Sequence, residues 1–216
     1  MNATPQKRLL MFDLDGTLID SRQDICTAVN LLRANYDLPR LSIEAVTSYV
    51  GDGIDKLVER SLRGYPVNIE KATRECTEYY RRHLHEETTL YPGVFDGLQK
   101  LRTDGYLLAL ISNKPGSACR EILGHFKIAP LFAVILGGDD MQHMKPHPEP
   151  LIAAMAKTGA KPDDSWMIGD HKTDLEAARR AGVQSGFIKY GMGEQGGELA
   201  TRTFESFEDM TNFFMS

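Results

Sequence analysis

Two kinds of hydrophobic pattern alternate along the chain. Leu9-Leu10-Met11-Phe12, Tyr106 to Ile111, Phe132 to Leu136, Ser165 to Ile168 and Gly186 to Lys189 are short, largely apolar runs. Such runs predict strands covered on both sides, because a strand with one wet face alternates apolar and polar positions. Helical stretches separate them. One opens at Tyr91-Pro92-Gly93, runs to Thr103 and ends at Gly105. Others cover Pro115 to Leu123, Pro148 to Lys157 and Thr173 to Ala181, the last stopped by Gly182, and Ser206 to Phe214 closes the chain. Strands that alternate with helices imply right-handed crossovers and a parallel sheet, so the fold class is α/β. Gly191 to Gly197 encloses no strand-to-helix junction and reads as a flexible connection rather than a phosphate cradle.

Between Asp20 and Thr89 the pattern is helical throughout. Asp20-Ser21 offers capping side chains for a helix to about Asn35, with Ile25, Ala28, Val29 and Leu32 on one face. Leu38-Pro39 breaks it, Ser42 caps a short helix, and Glu44 to Val50 leads into Gly51-Asp52-Gly53. A helix from Ile54 to Leu62 ends at Gly64, and a long one spans about Ile69 to Glu86. The expected organisation is a core of residues 1–19 and 90–216 with an all-helical insertion at 20–89.

Composition narrows the setting. Of 216 residues, 42% are hydrophobic and 25% charged, as in a soluble globular protein. A net charge of −5 shows no basic face for nucleic acid. Cys26, Cys76 and Cys119 are odd in number and form no CxxC, which reads as reduced thiols in a cytoplasmic protein. The polar start, Met1 to Arg8, and the lack of any apolar stretch near ~18 residues give no reason to expect a membrane partner. A monomer and a homodimer are equally compatible with the sequence.

Chemistry-bearing residues collect where the predicted strands end. The first ends in Asp13-Leu14-Asp15-Gly16-Thr17 and the second in Ser112-Asn113-Lys114-Pro115. Gly138-Asp139-Asp140 and Met144-Lys145-Pro146-His147-Pro148 follow the third; Gly169-Asp170-His171-Lys172-Thr173-Asp174 follows the fourth. In a parallel sheet these ends share one edge. Two carboxylates one residue apart repel each other, and a divalent cation would relieve the repulsion; a plain strand-ending turn also suits Asp-x-Asp-Gly.

These residues resemble the four motifs of the haloacid dehalogenase-like superfamily of phosphatases: Asp13-x-Asp15-Gly16-Thr17, then Ser112, Lys145, and Asp170 with Asp174. The resemblance implies a Rossmann-like, three-layer parallel-sheet core, with residues 20–89 as a helical cap. It implies that Asp13 is a nucleophile forming an aspartyl-phosphate, and that Asp15 is the general acid and base. Ser112, Asn113 and Lys145 would bind the phosphoryl group. Mg²⁺ would be held by Asp13, the Asp15 carbonyl and Asp170, with Asp174 acting behind them or through water. Asn113-Lys114-Pro115, Gly51-Asp52-Gly53 and Lys145-Pro146-His147-Pro148 are similar to the phosphoglycolate phosphatase branch, which implies a small phosphate ester, 2-phosphoglycolate, as substrate. Gly51 and Gly53 would then contribute backbone N–H groups at a helix start, with Lys56 nearby. A sugar-phosphate phosphatase and a phosphomutase are the alternatives. Asp15 argues against the dehalogenase and phosphonatase relatives, which lack it, and no Gly-x-Gly-x-x-Gly supports a dinucleotide module. His171 stands where relatives carry a small hydroxyl or amide residue, and is expected to point to solvent. His83, His85, His125 and His143 show no ligand spacing.

Overall fold

In the computed structural model, which describes residues 8–216, the chain opens with β1 (Leu9–Phe12) and a two-residue strand, β2 (Ile19–Asp20). Four helices follow: α1 (Arg22–Asn35), α2 (Ile43–Thr47), α3 (Ile54–Ser61) and α4 (Ile69–Arg82). After β3 (Thr89–Leu90) come α5 (Val94–Thr103), β4 (Leu107–Ile111), α6 (Gly116–His125) and β5 (Val134–Leu136). The remainder is α7 (Glu149–Thr158), β6 (Ser165–Gly169), α8 (Lys172–Ala181), β7 (Gln184–Ile188), β8 (Arg202–Phe204) and α9 (Phe207–Met215). The part of the first expected core segment before Arg8 lies outside the described residues.

The main sheet has six strands in the order β5-β4-β1-β6-β7-β8, and every pairing is parallel. β1 lies inside the sheet, and its side chains alternate between two apolar layers. Leu10 and Phe12 join Val94, Leu98, Ile122 and Phe207 from α5, α6 and α9. Leu9 and Met11 join Leu151, Ala154, Ala177 and Ala178 from α7 and α8. Covered on both faces, β1 carries no polar residue, which is why its sequence shows no alternation. The register sets the site: Phe12 pairs with Leu110 and Ile168. Asp13, Ser112 and Asp170 therefore emerge within a residue or two of one another at the carboxyl edge. No helix among the described residues is long and apolar enough to cross a membrane. Cys26, Cys76 and Cys119 are buried free thiols.

Four elements differ from expectation. β2 and β3 pair antiparallel as a ribbon, Asp20 opposite Thr89, at the two ends of the helical stretch. A two-residue strand is too short to show any periodicity. β8 adds a sixth strand whose Arg202 and Thr203 are exposed and only Phe204 is buried, the pattern of an edge. Finally, α4 stops at Arg82 rather than Glu86. Beyond it, Glu87 N and Thr88 N donate to the carboxylate of Asp24 at 3.0 and 2.9 Å, and Thr88 Oγ1 does so at 2.6 Å. These bonds draw the chain off the helix axis and clasp the exit of the helical stretch to its entrance on α1.

Candidate active site

Asp13 continues β1 by one residue, its N–H donating to Ile168 O at 2.9 Å. The side chain is buried, and that burial raises its pKa to about 6 although Lys145 opposes the shift. Lys145 Nζ lies 3.0 Å from Asp13 Oδ1. Its hydrogen bonds go elsewhere, to Ile111 O and to Asp174 Oδ1, both at 2.6 Å. Asp13 Oδ1 is thus buried with no hydrogen-bond partner. Burial works against the Lys145 charge, but Asp13 and Asp174 outweigh it and hold the ammonium above its ordinary value.

Asp170 follows β6 and is held from two sides. Met192 N and Gly193 N each donate to Oδ2 at 2.8 Å, and Thr17 Oγ1 donates to Oδ1 at 3.3 Å. The glycine-rich stretch after β7 is therefore more than a flexible connection: its backbone orients a carboxylate. Burial, then Asp13 and Asp174, push the Asp170 pKa up to about 8. Gly16 must be glycine here, since its φ is +82° and a Cβ would sit 2.0 Å from Asp170 Oδ2.

His171 does not simply face solvent. It is partly buried, caps α8 through its ring nitrogen, and gives its backbone N–H to Asp174 Oδ2 at 3.1 Å. Gly51 packs on the imidazole so closely that a Cβ there would lie 2.9 Å from the ring. Burial depresses the His171 pKa and favours the neutral ring.

Asp15 faces the same cavity from a different setting. Lys114 Nζ reaches its Oδ1 and Oδ2 at 2.5 and 2.7 Å, and Ser21 Oγ donates to Oδ1. Ser21 makes no capping bond to α1; its hydroxyl is committed to Asp15. Sequence reasoning missed Lys114 as a functional residue. The available signal was a lysine directly after Ser112-Asn113, which in the structure is only 8% exposed. Asn113 also does more than offer its N–H. Its side chain donates to Gly51 O at 3.0 Å and Lys145 O at 2.8 Å, and accepts from Lys145 N at 2.9 Å. It ties the lysine loop to the turn before α3.

One cavity is lined by Asp13, Asp15, Ser112, Asn113, Asp170, Gly51 and Gly53, with Lys145 and Asp174 buried behind it. Lys56 is not part of it: its ammonium is exposed and pairs with Glu59 at 2.7 Å. Carboxylate oxygens of Asp13, Asp170 and Asp174 all lie within 4.8 Å of one another. Lys145, shared between Asp13 and Asp174, offsets one of the three negative charges, and the others remain. A hard divalent cation, which takes oxygen ligands, fits this donor set. On the surface nearby, His143 stacks on His147 at 4.2 Å and bonds Glu149 at 2.9 Å, a grouping its sequence spacing did not suggest.

Residues 10–188 match the family profile described as haloacid dehalogenase-like hydrolase. The chain is 36% identical over 192 residues to a phosphoglycolate phosphatase of Aliivibrio fischeri, covering 85% of each protein. It is 40% identical over 191 residues to one of Pseudomonas putida, covering 85% of this chain and 70% of the relative. Among solved structures, a predicted phosphoglycolate phosphatase from Haemophilus somnus superposes with a TM-score of 0.91 at 30% identity, covering 98% of this chain and 100% of the other.

Lys145 is the cation that makes the buried acids tolerable, so its removal should be expensive. Lys145→Met is expected to lower unfolding stability by about 3–5 kcal/mol in metal-free buffer, measured by urea denaturation. Adding Asp174→Asn to it should cost less than the sum of the two single changes. A single-variant loss below about 1 kcal/mol would contradict this account of the cluster.

Proposed function

The chain belongs to the haloacid dehalogenase-like hydrolases and is a phosphoric monoester hydrolase; from that premise we propose a Mg²⁺-dependent phosphatase whose substrate is 2-phosphoglycolate. The observation that carries the mechanism is the contrast between its two neighbouring aspartates. Asp13 has an oxygen free of hydrogen bonds beside a buried ammonium, whereas Asp15 is fixed by Lys114 and Ser21. The first is free to form a new bond and the second is aimed for proton transfer.

In this mechanism an Asp13 carboxylate oxygen attacks phosphorus in line, and the bond from phosphorus to the ester oxygen breaks. Asp15 gives its proton to the departing alkoxide. It then takes a proton from water as that water attacks the aspartyl-phosphate, releasing inorganic phosphate and regenerating Asp13. Splitting hydrolysis this way replaces one high barrier by two lower ones. The Ser112 hydroxyl and Asn113 N–H would hold phosphoryl oxygens, and Lys145 would offset their charge. Mg²⁺ held by Asp13, the Asp15 carbonyl and Asp170 would supply the positive charge that lets a carboxylate approach a phosphate dianion. Asp174, its oxygens committed to Lys145 and His171, acts as an orienting group behind them.

Residues 20–89 serve as the cap in this reading, because α1, the turn before α3, α3 itself and α4 supply one wall of the cavity. That wall is mostly apolar: Ile25, Ala28, Val50, Ile54, Leu57 and Cys76. A sugar phosphate would bring several hydroxyls that such a wall leaves unpaired, which favours a small leaving group. The similarity to bacterial phosphoglycolate phosphatases supports phosphoglycolate among the small esters.

Asp13→Asn keeps the shape and removes the nucleophilic charge, so kcat for phosphate release should fall at least about a thousandfold in a folded protein. Retention of a tenth of the activity would exclude the aspartyl-phosphate route. Binding of the cation has a readout independent of turnover: Mg²⁺ added to EDTA-treated protein should raise Tm by about 5–10 °C when saturating. In Asp170→Asn the shift should largely vanish; an equal shift there would remove Asp170 from the ligand set. Among substrates, kcat/KM for 2-phosphoglycolate should exceed that for ethyl phosphate, which lacks the carboxylate, by at least about tenfold.

A further inference from the structure

The cavity does not end at the phosphate-facing groups. It runs on between α1, α3 and α4, where Ile25, Ala28, Leu57 and Cys76 make it apolar, and Tyr80 projects into the same space. Tyr80 is 8% exposed, and its hydroxyl has no hydrogen-bond partner. Leaving such a group unpaired costs stability, and native proteins tolerate few instances. Burial raises the phenol pKa, so the hydroxyl keeps its proton and is a donor. Lys114 lies alongside, its Nζ 4.7 Å from the centre of the ring. That ammonium has three N–H donors, two of them met by the oxygens of Asp15, and the Tyr80 hydroxyl is its other polar neighbour.

We infer that Tyr80, with Lys114 beside it, receives the carboxylate of the leaving group and is the residue that sets substrate choice. The inference rests on the reading of the substrate as 2-phosphoglycolate and places recognition on α4 instead of the Gly51–Gly53 turn. Chain connectivity supports it. To protonate the ester oxygen, Asp15 must hydrogen-bond to it, and Lys114 is one hydrogen bond beyond Asp15. In phosphoglycolate a single carbon separates that ester oxygen from the carboxylate, so the carboxylate falls in the neighbourhood of Lys114 and Tyr80. An alkyl ester leaves the hydroxyl as it is in the free protein, buried and unpaired. Unmade hydrogen bonds of this kind are the means by which a site rejects a substrate lacking a polar group.

Tyr80→Phe removes one oxygen atom and keeps the ring beside Lys114. Wild type and variant are compared by kcat/KM on 2-phosphoglycolate and on ethyl phosphate, and by thermal melting without substrate. The expected result is a ratio of the two kcat/KM values at least about fivefold smaller in the variant, with Tm unchanged or higher. A structural role would do the reverse, lowering Tm and leaving the ratio alone. Full retention of the ratio overturns the inference while leaving the substrate reading intact. So does a variant that melts clearly lower or fails to fold, since the hydroxyl would then have a structural partner. A wild-type enzyme with no preference for phosphoglycolate overturns the substrate reading, and the inference with it.

Discussion

Carboxylates buried side by side repel, and the arrangement of this protein follows from holding Asp13, Asp170 and Asp174 together at one sheet edge. Each acid is met by a different compensation. Asp174 has the Lys145 ammonium and the His171 N–H. Asp170 has two backbone N–H groups from the loop after β7, and the Thr17 hydroxyl. Asp13 has the Lys145 ammonium 3.0 Å from Oδ1, without a well-aligned hydrogen bond to that oxygen. The compensation is therefore unequal, and the least satisfied acid is the proposed nucleophile. Asp15, at the cavity rim, repeats the logic with its own buried lysine. Sites of this kind cost stability, which the two apolar layers flanking β1 must offset.

Much of this was legible in the sequence because it depends on local order along the chain. The apolar run before Asp13 reports a strand covered on both faces, and a parallel sheet then brings every strand end to one side. Ser112, Lys145 and Asp170 could be assigned to that edge without knowing any distance. What stayed hidden depends on relations between distant segments. The pairing of Lys114 with Asp15 spans 99 residues and follows from the register of β1 against β4. Ser21 and His171 carry types common at helix starts, so nothing in their local setting reveals that one serves Asp15 and the other abuts Gly51. The backbone donors of Met192 and Gly193 are invisible in principle, since every non-proline residue has an N–H.

Glycine placement shows how closely the parts are fitted. At Gly16 the strand turns away against Asp170, and at Gly51 the helical stretch touches His171, one residue further along the same loop. The Asn113 side chain joins Gly51 to Lys145. Beside these acids, contact between the helical stretch and the core is thus made in part by backbone and polar side chains. A change in how the helices sit would be felt at once by the lysine loop and by the residue that orients Asp174.

The ribbon of β2 and β3 has a further consequence. Because Asp20 lies opposite Thr89, the helical stretch begins and ends at a single point. Everything between could be exchanged for a different segment with the same end-to-end spacing, and no strand of the sheet would need to be rethreaded. The proposed reacting groups Asp13, Ser112, Lys145 and Asp170 all lie outside that loop of chain, whereas Tyr80 and the apolar wall lie inside it. Under the proposed function, the topology separates the means of breaking the phosphate bond from the means of choosing which molecule carries it. One framework can in this way acquire new substrates by replacing a module whose two attachment points are neighbours.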